Sequence, residues 1–478
     1  MPSLFVLTPF LLLVVVNLPF KFLRKQIALW PAVGGMLVAQ VVFSTFYPLN
    51  IGRGIADPFE QFFMFGLSLD SLSSIMLLII GIVAFVSVLV ASSMISEERQ
   101  VFHFLNLILI SVIGMNTTVL ISDIFSLYVF VEITALAVFV LIAMEKGKFA
   151  IEGTFKYLIL SAVASVFMLT AIAFFLMAVG STSFAAIKDA FASNSSDAFL
   201  LKLGTGLFLC GLLIKCGVVP FHGWVPDAYS AAPASVSVLL AGVVTKVSGV
   251  YVLLRLFGTV FILNAALQNT LLLVGIISIC FAAFASLTQT DFKRMLAYSS
   301  ISQVGYIVLA LGAATPLAFV GAVFHFFNHA IFKSLLFVNA ASLEKRLGTT
   351  DMDKIGGMGS KMKVTSATSL IGLLSTAGIP PLSGFWSKLI IIIALFSAGR
   401  PVYAVIALLA SALTLAYFLS LERKVFFGKV VASPAAETKA SFGITFSEVL
   451  LAAITVAAGL GFAFILNTWL LPLKEIVH

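Results

Sequence analysis

Seven ionisable side chains, Glu132, Lys215, Lys246, His325, His329, Lys333 and Lys388, stand inside stretches otherwise apolar enough to lie in lipid. Placing a lysine at a bilayer centre costs about 2.5–3.5 kcal/mol on insertion scales, so such groups line a protein interior or a water-filled path. All seven bind and release protons, and histidine does so near neutral pH without help. The chemistry open to them is a proton relay.

Spacing gives the groups their positions. His325, His329 and Lys333 recur at intervals of four in VFHFFNHAIFKSLLF. On a helix they share an arc of about 80° along roughly 12 Å of one face. An HxxxH pair can ligate zinc, but no HExxH glutamate and no third ligand accompany it. A hydrogen-bonded packing row and a proton or water wire remain as readings. Glu132, in FSLYVFVEITALAVF, follows Asp123 by nine residues. That is about 13.5 Å of rise and about half a turn away in direction, which puts Glu132 near mid-membrane, where it needs a basic partner from another helix. Asp70 and Asp123 themselves read as helix caps. Pro220 and Pro226 follow Lys215, and Gly378, Pro380 and Pro381 precede Lys388. Proline removes a backbone donor, so each group breaks a helix beside its lysine and frees carbonyls that only a cavity or a neighbouring helix can satisfy.

What must hold these groups is a membrane bundle. The 478 residues are 61% hydrophobic and only 10% charged, with mean hydropathy +1.15, against about 25% charged in a soluble domain. Windows of about 20 apolar residues give fourteen spans: 3–20, 27–47, 67–93, 101–121, 123–143, 154–180, 200–222, 233–257, 261–288, 296–313, 315–343, 364–395, 401–421 and 446–471. Lipid leaves the backbone no partner but itself, so all are expected to be helices. The loops after odd-numbered spans hold 18 Lys and Arg, and the opposite side holds six (Arg53, Lys188, Lys202, Arg255, Arg400 and Lys474). That bias puts both termini outside the plasma (inner) membrane. The first apolar run has no basic residue before it and no small-residue cleavage site after it, so it reads as a retained helix. Spans 7 and 12, both broken and both carrying a lysine, lie five apart. They suggest two five-helix repeats, 101–257 and 261–421, inverted because five crossings carry the chain through the membrane. Residues 1–100 and 422–478 flank them. The expected fold is an all-α polytopic membrane protein of about fourteen transmembrane helices with broken helices 7 and 12.

Other function classes lose support at this stage. The three cysteines, Cys210, Cys216 and Cys280, lie in apolar segments with no CxxC spacing, which indicates neither an iron–sulfur cluster nor a disulfide framework. GxxxxGK[ST] and GxGxxG are missing, arguing against ATP or dinucleotide sites. The net charge of +8 is spread over loops and not gathered on one face, so nucleic acid is not the expected partner. The longest connections, about 344–363 and 422–441, are too short to bury a core. Neither a cofactor nor a metal is expected.

The motifs resemble the antiporter-like subunits shared by respiratory complex I, membrane-bound hydrogenases and Mrp-type cation/proton antiporters. The resemblance rests on VFVEITALA with Glu132, KCGVVPFHGWVPDAYSAAPASVSVLLAG with Lys215, the later Lys246, and GIPPLSGFWSK with Lys388, and spans most of the chain from span 3 to span 13. The PFHGWVPDAYSAAP run is its most specific part. The resemblance implies that Glu132 pairs with Lys215 and that Lys246, the His325–Lys333 row and Lys388 continue a hydrated mid-membrane axis. Lysine at both spans 8 and 12 is most like the Mrp D-type member. The resemblance implies a subunit moving protons, alone or in exchange for sodium, among other membrane subunits of an Mrp, hydrogenase or complex I-like assembly. The alternatives are a membrane enzyme subunit with a quinone-linked redox site and a structural spacer without transport of its own.

Overall fold

A computed structural model describes residues 2–18, 26–46, 49, 66–193, 198–429 and 441–475. Lys21, Arg24, Lys25, Arg53 and Lys439, which enter the charge count, lie outside the described residues, as does the stretch 430–440 of the expected connection 422–441.

The described residues are mostly helical: α1 (Ser3–Asn17), α2 (Gln26–Ser44), α3 (Ser71–Met94), α4 (Glu98–Leu120), α5 (Ile124–Ala143), α6 (Lys148–Val179), α7 (Phe184–Ala192), α8 (Ala198–Cys216), α9 (Trp224–Ala231), α10 (Ala234–Leu239), α11 (Val252–Thr259), α12 (Ala265–Leu287), α13 (Phe292–Gly312), α14 (Pro316–Leu347), α15 (Lys363–Ala377), α16 (Ser383–Ser397), α17 (Pro401–Val425) and α18 (Phe442–Leu460). Among the described residues β structure is limited to three isolated bridges. Among the described residues eleven helices, counting Ala234–Thr259 as one, are long and apolar enough to cross a membrane. Three of the fourteen expected spans take another form. α1 and α2 are shorter apolar helices, and span 12 is divided by its break into α15 and α16. α7 is a short helix in the connection between spans 6 and 7, with Ile187 its buried residue. α3, α13, α14 and Ala234–Thr259 are buried over most of their length, whereas α6 and α17 turn large apolar side chains such as Phe155, Val166, Leu408 and Leu409 outward. The bundle therefore has a protein-lined interior around α14, where polar groups can be held out of lipid.

One local device appears twice. Asp123 accepts from Ser126 N (2.7 Å) at the start of α5 and from Thr182 Oγ1 (2.5 Å) beyond the end of α6. Asp291 accepts from Arg294 N (2.8 Å) at the start of α13 and from Thr350 Oγ1 (2.5 Å) beyond the end of α14. α6 and α14 are both 32 residues long, and each ends on a left-handed glycine, Gly180 and Gly348. In both places one aspartate satisfies an orphan helix N–H, worth about 1 kcal/mol, and ties the far end of a long helix to the start of the preceding one.

The two breaks come where proline withdraws donors, and each is resolved by a side chain. α8 stops at Gly217, whose φ of 66° ends the helix. The Trp224 indole N–H then donates to Ile214 O (3.1 Å), and Val219 N donates to Ser278 Oγ (3.0 Å). α15 stops at Gly378 (φ 84°), and Ser411 Oγ donates to Ala377 O (2.7 Å). Pro226 corrects the reading that made it part of the break. It sits in the first turn of α9, where the absent N–H would have had no intrahelical partner. Between α10 and α11, where the sequence suggests a plain helix, the backbone widens into π-helical turns at Leu240–Val244 and Lys246–Tyr251.

Candidate functional site: a buried row of ionisable groups

Glu132 and Lys215 meet. Lys215 Nζ donates to Glu132 Oε1 at 2.8 Å and to Ser161 Oγ at 2.6 Å, and Ser165 Oγ donates to the same carboxylate oxygen at 2.7 Å. α5 supplies the acid, α8 the base, and α6 both hydroxyls. The pair is lopsided: the lysine side chain is 1% exposed, the glutamate 24%. A buried ion pair holds only with good geometry and further hydrogen bonds, and Ser161 and Ser165 provide them.

Lys246 lies on the second π-helical turn with no exposed surface, and its ammonium donates to the Ala241 carbonyl in the first. A widened turn leaves a carbonyl off the regular ladder, and here that carbonyl receives the lysine. Gly249, on the same turn, is where this segment touches α8. A Cβ there would lie 2.7 Å from Cys216 N and 2.8 Å from the Lys215 carbonyl carbon. The close approach needs glycine, and it brings the Lys246 turn against the helix that carries Lys215.

On α14, His325, His329 and Lys333 run along one buried face, with none of the three exposed. Lys333 Nζ donates to Ser299 Oγ (2.7 Å) and Leu296 O (3.2 Å) on α13 and stands 5.5 Å from the Phe418 ring centroid. The imidazoles of His325 and His329 are nearly parallel, 6.4 Å apart. His325 Nδ1 is 3.0 Å from Ser387 Oγ, whereas neither nitrogen of His329 has a hydrogen-bond partner among the described residues. Gly242, on the first π-helical turn, packs against Ser334 of α14, and the His325 ring stands 5.6 Å from the Tyr306 ring. Lys388 on α16 donates to Ser411 Oγ (3.1 Å), the hydroxyl that also satisfies the broken helix, and sits 4.7 Å from the Tyr306 ring centroid.

The structure thus packs the elements carrying Lys246, His325, His329, Lys333 and Lys388 against one another around α14, with Glu132–Lys215 adjoining them through the Gly249 contact. Pro220, Pro380 and Pro381 lie in the breaks, while Pro226 lies outside them. Buried polar atoms without a partner gather along the same row: Gln303 Nε2 and Oε1, His325 Nε2, Asn328 Oδ1, both nitrogens of His329, and Ser334 Oγ. Such atoms are costly unless water reaches them. Among the described residues no group of three His, Cys, Asp or Glu side chains is placed to hold a metal ion.

Three features escaped the sequence reading. The hydroxyls that hold the charges (Ser161, Ser165, Ser299, Ser411) carry no local signal, because serine is common in apolar helices. Arg255, placed by charge counting in an outer loop, is buried and makes a two-nitrogen ion pair with Asp70, at 2.5 and 2.8 Å. Glu422 and Glu448 are buried carboxylates on α17 and α18; the criterion that singled out Glu132 would have found Glu448, inside the span 446–471, whereas Glu422 falls one residue past the span 401–421.

Fold and site together define a polytopic helical membrane protein with a charged and imidazole-bearing row through its interior. Residues 121–414 match the family described as NADH:quinone oxidoreductase/Mrp antiporter, TM. The chain belongs to this family, as an antiporter-like membrane subunit of the kind found in Mrp and complex I-like complexes. It is 31% identical over 410 residues to the D-type member of the Na(+)/H(+) antiporter of Alkalihalophilus pseudofirmus, covering 85% of this chain and 82% of that one. It is 35% identical over 323 residues to the N-type member of the NADH-quinone oxidoreductase of Desulforudis audaxviator, covering 67% and 64%. A chain of the solved Mrp complex from Dietzia sp. DQ12-45-1b shares the fold, with a TM-score of 0.89 at 21% identity over 99% of this chain and 97% of that one.

Proposed function

We propose that this chain is a proton-translocating subunit of a multisubunit membrane complex, in which protons step along Glu132, Lys215, Lys246, His329, Lys333, His325 and Lys388. The observation that carries the reading is the continuous buried row itself. Seven ionisable groups lie within a bilayer-length bundle, and in the second half of the row unpartnered polar atoms line the way between them. Packing alone gives no reason to retain such groups, because replacing buried charges by apolar residues is often neutral or stabilising. Protonating one lysine changes the charge felt by the next, so movement at one end biases occupancy at the other. Water at the breaks near Pro220 and Pro380 connects the row to the two sides.

Exchange of protons for sodium is the variant favoured by the relative named for a Na(+)/H(+) antiporter, and other membrane subunits of an Mrp, hydrogenase or complex I-like assembly are the partners. The twin aspartate locks and the matched 32-residue helices support two five-helix repeats, 101–257 and 261–421. The charge bias supports inversion of one against the other, a total of fourteen crossings, and a plasma-membrane orientation with both termini outside. The test is Lys388→Ala expressed with its partner subunits and reconstituted into vesicles. Assembly is retained and proton flux is lost; normal flux in the assembled variant would remove Lys388 from the path and favour a spacer.

A further inference from the structure

At the end of the row opposite His325, four helices bring two further carboxylates together. Glu422, near the end of α17, is 2% exposed, and Glu448, in the second turn of α18, is 1% exposed. Ser369 Oγ on α15 donates to Glu422 Oε1 at 2.5 Å. With its amide oriented so that both ends find a partner, Asn339 on α14 accepts from Ser369 N at 3.0 Å and donates its amide nitrogen to Glu448 Oε1 at 3.2 Å and Thr368 Oγ1 at 3.1 Å. The two acids are thus joined through one serine and one asparagine. The other oxygen of Glu422, Oε2, is buried and has no hydrogen-bond partner among the described residues.

The charges facing the cluster do not balance it. Among the described residues no ion pair is made by Glu422 or Glu448, unlike Asp70, Glu132, Asp227 and Glu344, each of which has a Lys or Arg nitrogen at 2.5–3.2 Å. From α14, Arg346 bears on Glu448 electrostatically, but its Nη2 donates to the Lys361 carbonyl. Lys345 donates to the Ser93 carbonyl, and Lys363, at the start of α15, is exposed. From α13, Lys293 pairs with Glu344. The nearest charge of the row is Lys333, which stands over Phe418, one helical turn before Glu422 on α17. Along α14, Asn339 follows Lys333 by six residues, about 9 Å of rise. A carboxylate buried without a paired cation is too costly to keep charged, and among the described residues neither acid has a Lys or Arg nitrogen within ion-pair distance.

We propose that Glu422 and Glu448, bridged by Ser369 and Asn339, form a proton-loading site that exchanges protons with Lys333 and with the aqueous phase beside the basic loop between α14 and α15. The proposal rests on the reading of the chain as a proton carrier. The Glu422 Oε2 atom is the port. A proton there neutralises the acid, and water across the ~9 Å along α14 passes it to the Lys333 amine.

The test uses the assembled complex with Glu422→Gln, Glu448→Gln and the double variant. Two quantities are read: the carboxylic-acid C=O band in pH-difference infrared spectra, and proton flux in reconstituted vesicles. A titrating band is expected in the parent, reduced in each single variant and absent in the double, with flux lowered at least tenfold in Glu422→Gln. If a glutamine variant fails to assemble, Glu422→Asp must restore a titrating band at a shifted frequency. An unchanged band in the double variant, or an undiminished flux, overturns the site. A band abolished by sodium but not by potassium at constant pH also overturns it, in favour of a metal-cation site. Should Lys388→Ala transport normally while the band titrates as described, transport through the row fails and the loading site does not.

Discussion

Removing one member of the Glu132–Lys215 pair should be worse than removing both, and the two single losses should be unequal. Glu132→Gln leaves the Lys215 ammonium 1% exposed with Ser161 Oγ as its remaining partner, whereas Lys215→Met leaves a carboxylate that is 24% exposed and still receives Ser165. Breaking a buried pair costs about 3–5 kcal/mol because a lone charge remains. The glutamate variant belongs near the top of that range and the lysine variant near the bottom. The double variant strands no charge, and replacing both partners is often nearly neutral, so it should cost less than either single change. The coupling then exceeds the roughly 0.5–3 kcal/mol usual between neighbours. The assay is a double-mutant cycle on the unfolding free energy of the assembled complex in an SDS titration, with proton flux measured in parallel. Flux should be absent from all three variants. Additive losses would show that the two residues do not interact, and a costlier Lys215→Met would refute the argument from unequal burial.

Three further outcomes follow from the geometry. Burial alone would raise the Asp70 carboxyl, but the Arg255 guanidinium and the Ser73 N–H and hydroxyl hold it down at about 2, below its usual 3.8; the ion pair's stabilisation is present above pH 3.8 and lost as pH falls toward 2, worth about 2.5 kcal/mol at ~1.4 per unit. Asp70→Asn should remove that acid dependence from the unfolding midpoint, and an unchanged pH profile would count against the pair. Gly249→Ala drives a methyl into the Lys215–Cys216 backbone and should cost about 1–3 kcal/mol of stability as an overpacked contact while lowering flux; a fully active variant would show that the spacing of the Lys215 and Lys246 segments is not critical. With the native cysteines replaced, Ser360→Cys should resist and Ser193→Cys accept an impermeant thiol reagent in intact cells, and the reverse pattern would invert the proposed orientation.

The sequence by itself determined the class of protein, the helices and the identity of most groups in the row. Apolar runs of bilayer length have one backbone solution in lipid, and an ionisable side chain inside such a run stands out against it. The i, i+4 row of His325, His329 and Lys333 could be read from helical geometry alone, because the three share one helix. Tertiary structure decided what those groups touch. Ser161, Ser299 and Ser411 hold lysines, and Ser165 holds Glu132, from positions 23 to 54 residues away in sequence, and no local pattern distinguishes them from other serines. The π-helical turns at Lys246 were likewise invisible, since a widened turn depends on the packing of Gly249 against α8 rather than on propensity. Pro226 was misplaced because proline reads as a breaker wherever it falls, and only the position of the α9 start shows that its N–H was not needed. Glu448 was legible as a carboxylate in an apolar span, whereas Glu422 fell in the connection after span 401–421; that they meet through Ser369 and Asn339 is a property of four helices brought together by the fold.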